Sequence, residues 1–364
     1  MLRTLLARFG IALVAAAALL SVAVTVVNWR VDATVAGIDR VDVELDETDY
    51  PAEAGNYLVV GSDSREAVAD EPGSDESFGD NDGQRSDTIM IAHVEPEERR
   101  VLVVSIPRDL EVDIPGMGTT KINAAFNEGP QLLVDTITEN FGVPITHYLN
   151  VDFAGFPKLV DLVGPVTVHF NAPARDEETG LFVEEPGCIE LDGDEALAYV
   201  RSRGYEENIY GTWTEDPTSD FGRIRRQQAF LRQLAVVARD EIYSSPLDVP
   251  DIATAALATL QADQSFGRAQ LLGFVDAFQD VDVYNPDSVV LMTLPVTGSP
   301  MRLDQPAADE VFERLQTFGP LPPSSTGSPE DSAPGTTGPR ASSSAPLPDA
   351  YLPGPDAAPV PVCR

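Results

Sequence analysis

Five short runs in this chain are apolar at most positions: Tyr57–Val60, Thr88–Val94, Val101–Ile106, Val166–Phe170 and Ser288–Leu294. A strand that is apolar on both faces has no side to turn to water, so such runs belong in a sheet covered above and below. Helical patterns lie between and after them: Pro130–Phe141, Phe153–Val163, Asp194–Val200, Phe221–Ile242, Ile252–Gln261 and Arg268–Phe278. Gly142 and Gly164 supply stop signals, each with a proline within two residues. Strands interleaved with helices predict an α/β domain over residues 56–318. No unit of 20–50 residues recurs, which excludes a solenoid or propeller. The acidic, Gly-rich stretch Glu66–Gly83 reads as a long surface loop.

The two ends read differently. Phe9–Val27 is a 19-residue stretch without a charge. At about 1.5 Å per residue it just spans a hydrocarbon core of roughly 30 Å. Arg3 and Arg8 precede it and Asp32, Asp39, Asp42 and Glu44 follow. The expected order is therefore a cytoplasmic tail (1–8), a transmembrane anchor (9–29), a linker (30–55) and an extracytoplasmic domain. The competing reading is a cleaved signal peptide ending near Ser21-Val22-Ala23. Residues 319–364 hold 12 of the 30 prolines, a composition expected to stay disordered. Cys363 at its tip and Cys188 are either a disulfide tying the tail back or two unrelated thiols.

Charge narrows the function. With 24 Lys+Arg against 59 Asp+Glu the net charge is −35, which excludes a nucleic-acid binder. Two cysteines and three scattered histidines (His93, His147, His169) give no zinc or iron ligand pattern. The cations are unevenly spread. Arg201, Arg203, Arg223, Arg225, Arg226, Arg232 and Arg239 fall within 39 residues. Arginine suits bidentate phosphate contacts, but these side chains could equally balance Glu195, Glu206 and Asp220. Strand ends add Asp63, Asp87, Arg108 and Lys121. Two carboxylates with phosphate oxygens are the expected shell of Mg²⁺.

In order, GSDSR (61–65), RSDTIMIAHVEP (85–96), SIPRDLEVDIPG (105–116), KINAAFNEGP (121–130), HYLNVDFAGFPKLVDLVGPVTV (147–168), LDGDEALAYVRSR (191–203) and SDFGRIRRQQ (219–228) resemble the LytR-CpsA-Psr family of membrane-anchored phosphotransferases. The resemblance implies a three-layer α-β-α sandwich with a central mixed sheet enclosing an apolar polyprenyl groove. It implies transfer of a glycopolymer from a polyprenyl-pyrophosphate carrier onto peptidoglycan through a phosphodiester. Carried over by motif, Asp63 and Asp87 hold Mg²⁺ (or Mn²⁺), while Arg108, Arg201, Arg203 and Arg223 grip the pyrophosphate. Gln227 and Asp220 contact phosphate or orient those arginines, and Lys121 adds a cation. The general base is Asp109 or one of the metal-holding aspartates. Gly204–Ser219 and the 66–83 loop look like family departures at the mouth of the site. Water as acceptor would make the protein a polyprenyl-pyrophosphate hydrolase, and binding without turnover a lipid-linked glycan carrier. The family's historical name also suggests transcriptional regulation, but the chain has no helix-turn-helix signature.

Overall fold

The computed structural model describes residues 31–46, 54–62, 86–244, 249–273, 281–282, 285, 288–317 and 363. The expected anchor, Asp63, the 66–83 loop and all of the tail but Cys363 lie outside them. Among the described residues no helix is long and apolar enough to cross a membrane.

At the centre of a seven-stranded sheet, β2 (Gly55–Ser62), β3 (Ser86–Glu95) and β4 (Arg100–Ile106) run as an antiparallel meander. β15 (Val289–Thr293) extends it in parallel beside β4, and β7 (His147–Asp152) in parallel beside β2. β14 (Leu260–Asp263) pairs antiparallel with β7, and β1 (Asp39–Val41) closes that edge. The sheet is mixed, as expected, with β2, β4, β7 and β15 ending on one side. The helical pattern Ile252–Gln261 stops earlier than read: α7 ends at Ala258 (Val249–Ala258) and its last expected residues open β14.

Alternation along the strands builds two cores. Leu58, Val60, Ile89, Ile91, Leu102 and Val104 pack against Leu133 and Ile137 of α3 (Pro130–Phe141) and Val311, Phe312 and Leu315 of α9 (Gln305–Gln316). On the other face Tyr57, Ala92, Val94 and Leu149 meet Val35 of α1 (31–36) and Leu257 of α7, while Val101 and Val289 meet Val236 of α6 (Asp220–Ser244). Helices therefore cover both faces.

β7 and β14 escaped the sequence reading because both carry polar side chains, and these satisfy one another. Asp263 is fully buried and accepts from the Tyr148, Ser265 and Phe266 amides and the Ser265 hydroxyl; His147 Nδ1 lies 3.1 Å away. Asn150 donates to Gln261 and accepts from Ser62. Burial alone would raise the Asp263 carboxyl, but hydrogen bonds from His147, Ser265 and Tyr148 outweigh it and hold the group below the usual carboxylate range. Its stabilisation is complete above the unfolded carboxylate value of about 3.9 and is lost as pH falls through the lower folded value. Asp263→Asn should cost about 3 kcal/mol near neutrality and flatten the acid limb, read by urea unfolding across a pH series.

One expected strand is misplaced. Val166–Phe170 (β8) pairs with β11 (Gly187–Leu191) as a separate ribbon, not within the central sheet. It packs on α5 (Gly193–Arg201) and Phe230 of α6. Beside it β10 (Leu181–Val183), β9 (Ala174–Asp176), β12 (Glu206–Ile209) and β13 (Thr212–Glu215) form a four-stranded sheet in that order. Gly204–Ser219 is thus mainly a β-hairpin. Cys188 on β11 is bonded to Cys363 across a separation of 175 residues, so the pairing left open by the sequence is made.

Candidate active site at the strand ends

The sheet edge where β2 and β4 end and β3 begins gathers most of the motifs. Ser62 pairs with Ser86 after Gly61 pairs with Thr88, so Asp87 is the extra residue of a bulge. A Cβ on Gly61 would meet the Phe153 ring at 2.6 Å, so any larger residue there must displace that ring. At the end of β4 the chain turns through Pro107-Arg108, and the Arg108 carbonyl accepts from the Asn123 amide, fixing the loop to the start of α2 (Asn123–Asn127).

α6 brings the second half of the site over this edge. Asp220, in its first turn, lies 2.7 Å from Arg223 Nη2 and 3.7 Å from Arg108 Nε, so one carboxylate orients two arginines from different elements. Arg223 is only 2% exposed, and Arg108 and Asp220 are largely buried. Gln227, one turn on, donates to Thr88 Oγ1 (2.9 Å) on β3 and to the Val200 carbonyl (3.1 Å) in the last turn of α5. Thr88, Ser105, Arg108, Asp220, Arg223 and Gln227 line one narrow cleft.

Arg201 and Arg203 flank Ser202, which is buried and pinned from three sides. Its hydroxyl donates to Asp176 (2.6 Å), its carbonyl accepts from Arg226 Nη2 (2.8 Å), and the adjoining Val200 carbonyl takes the Gln227 bond. Both flanking arginines are half-buried, and Arg203 has no carboxylate partner among the described residues. Lys121 and Asp109 stand apart from the cleft lining and pair with each other at 3.0 Å.

Sequence reasoning missed the residue that braces the group. Arg226, read as one more cation of the cluster, is buried, binds Asp216 (3.1 Å) and the Ser202 carbonyl, and lies 4.4 Å over the Tyr205 ring. Burial would raise the Asp216 carboxyl, yet hydrogen bonds from Thr218 and Arg226 keep it low. The glycine of Asp220-Phe221-Gly222-Arg223 is required by this clamp, because a Cβ on Gly222 would sit 2.1 Å from Asp216 Oδ2.

Among the described residues no group of three or more His, Cys, Asp or Glu side chains could hold a metal. The two carboxylates expected from the sequence to hold a metal are Asp63, which lies outside the described residues, and Asp87, at the bulge beside the end of β2. Two carboxylates completed by phosphate oxygens suit Mg²⁺, which rarely takes an all-protein cage.

The described residues form a mixed α/β sandwich in which Arg108 and Arg223 converge on Asp220 in one strand-end cleft. The model of the LytR_cpsA_psr family matches residues 27–317, and the chain belongs to that family. It is 38% identical over 185 residues to the probable cell wall biosynthesis protein LcpB of Corynebacterium glutamicum, covering 50% of this chain and 42% of that one. It is 34% identical over 184 residues to the polyisoprenyl-teichoic acid--peptidoglycan teichoic acid transferase TagU of Enterococcus faecalis, covering 50% and 56%. The matched stretch thus spans about half the length of these relatives. The LytR-Csp2A-Psr enzyme from Actinomyces oris has the same fold, with a TM-score of 0.63 at 22% identity over 77% of this chain and 96% of that one.

Proposed function

We propose that this protein is a membrane-anchored, extracytoplasmic phosphotransferase that moves a glycopolymer from a polyprenyl-pyrophosphate carrier onto peptidoglycan. The observation that carries the reading is the convergence of Arg108 and Arg223 on Asp220 in a cleft beside Arg201 and Arg203. Family membership and the names of the relatives support the substrate classes.

Phosphoryl transfer asks the protein mainly for positioning and charge stabilisation. Arg108 and Arg223, held by Asp220, face the pyrophosphate, with Arg201 and Arg203 closing from α5. An acceptor hydroxyl attacks the phosphorus nearest the sugar, and the bond from that phosphorus to the bridging oxygen breaks. Polyprenyl phosphate leaves with the electron pair. The acceptor proton passes to a carboxylate of the strand ends, Asp63 or Asp87, since Asp109 is paired with Lys121 away from the cleft lining. Mg²⁺ (or Mn²⁺) held by Asp63 and Asp87 would neutralise pyrophosphate charge when bound. Val59, Val103, Leu260 and Leu271 remain only partly buried on the inner face near α7 and α8 (268–273), which supports an apolar groove for the prenyl chain.

The full chain in lipid nanodiscs, given a synthetic polyprenyl-pyrophosphate saccharide and uncross-linked peptidoglycan, tests this. Release of polyprenyl monophosphate should require the acceptor. Equal release without acceptor would make the protein a hydrolase, and none at all a carrier.

A further inference from the structure

We infer that the outward face of the four-stranded sheet β10-β9-β12-β13 is the docking surface for the acceptor glycan strand, an inference that rests on the transfer reading above. Register fixes which side chains share that face. Arg175 is opposite both Phe182 and Glu206, Glu206 is opposite Glu215, and Asn208 is opposite Trp213. The other face carries Ala174, Leu181 and Val183, all buried in the core. Phe182, Arg175, Glu206 and Glu215 therefore lie in one row, with Asn208 and Trp213 in the next row of the same face.

The row is not an ordinary surface. Of six exposed large apolar side chains among the described residues, Phe182 lies on this face and Tyr210 at the hairpin turn, while Ile209 belongs to the opposite face. Phe182 is 60% exposed, and Tyr210 at the hairpin tip is fully exposed. Such clustering marks an interaction site. The Arg175 guanidinium lies 4.5 Å over the Trp213 ring and its Nε is 2.5 Å from Glu206, so aromatic faces alternate with a planar donor and an acceptor. That is the chemistry of sugar binding: ring C–H edges stack on aromatic faces, and hydroxyls bond guanidinium and carboxylate.

Charge and position choose the occupant. Glu206 and Glu215 in the row, with Glu177 3.6 Å from Arg175, repel a polyanionic polymer or an anionic lipid surface, leaving uncharged sugar rings as the fitting chemistry. The hairpin is inserted between Arg203 and Asp220. Its base is closed by the Asp216 amide on the Tyr205 carbonyl (2.7 Å) and held to α6 by Arg226, one turn from Arg223. Attacking and leaving oxygens lie roughly in line at phosphorus. With the prenyl phosphate departing toward the apolar interior, the acceptor enters from the solvent side, and the hairpin base is tied to the same helix that carries Arg223.

The chain has two tryptophans, so Trp29→Phe leaves Trp213 as the reporter. The full chain in nanodiscs should show a saturable change in Trp213 emission with neutral N-acetylglucosamine oligosaccharides, which present the sugar rings of the acceptor strand without its carboxylates. Tyr210→Ala, at a site too exposed to affect folding, combined with Phe182→Ala should weaken that binding roughly tenfold, and Trp213→Ala should raise the acceptor KM by a similar factor without raising the donor KM. No emission change, an unchanged acceptor KM in Trp213→Ala, or a response only to the donor saccharide would overturn the assignment. Glycan binding by a wild type that fails to transfer would uphold the docking face and sink the transfer reading alone.

Discussion

Arg108→Ala should lower transfer at saturating substrates about a thousandfold, since an arginine aimed at transition-state charge is worth roughly 10³-fold or more in phosphoryl transfer. The loss follows from geometry. Arg108 sits in the loop after β4, anchored to α2 through its own carbonyl, so removing the guanidinium leaves the backbone in place. Asp220 keeps its 2.7 Å contact with Arg223. The fold should therefore persist, with an unfolding midpoint close to wild type, and the defect should be confined to turnover. Arg203→Ala should behave alike, because Arg203 has no described carboxylate partner whose loss would disturb the fold. Arg108→Lys should rescue little, because a point charge does not reproduce a fork of donors. Near-normal rates in both alanine variants would remove the arginine cleft from the mechanism.

Arg226→Ala should do the reverse and act first on stability. The guanidinium is buried against Tyr205, bridges Asp216 to the Ser202 carbonyl, and so ties the hairpin base, the end of α5 and the start of α6 together. Its removal strands a partly buried carboxylate and a backbone acceptor, a change costing about 3–5 kcal/mol. Urea unfolding should report that loss, and transfer should fall as well because Arg201 and Arg203 flank the released Ser202. Arg226→Lys should recover part of the Asp216 contact but not the stacking on Tyr205. A variant as stable as wild type would show that the clamp is not what holds these segments.

The candidate site was legible because its residues sit in short ordered motifs beside strongly apolar strands. Asp63, Asp87, Arg108, Arg201, Arg203, Arg223 and Gln227 all follow from reading strand and helix ends. Of these, Arg108, Arg223 and Gln227 line one cleft with Asp220, and Gln227 joins Thr88 to Val200, whereas Lys121 and Asp109 pair with each other away from that lining. Other features were hidden for physical reasons. β7 and β14 break the apolar pattern with His147, Asn150 and Asp263, whose polarity is satisfied only by partners up to 116 residues away. Arg226 looks like any cation until Tyr205 and Asp216 are placed around it. The hairpin did leave a local trace: Tyr210-Gly211, with φ of 53° and 88°, is a two-residue turn between residues that suit strands. Nothing local links Cys188 to Cys363, because a bond between residues so far apart depends on the whole fold.

The most direct measurement is the mass of the acceptor. Full-length protein in nanodiscs is incubated with a polyprenyl-pyrophosphate saccharide and uncross-linked peptidoglycan, which is then digested to muropeptides for mass spectrometry. The account predicts muropeptides heavier by one saccharide phosphate with wild type and unmodified muropeptides with Arg108→Ala. Unmodified muropeptides from wild type, with the donor consumed to free saccharide phosphate, would contradict it.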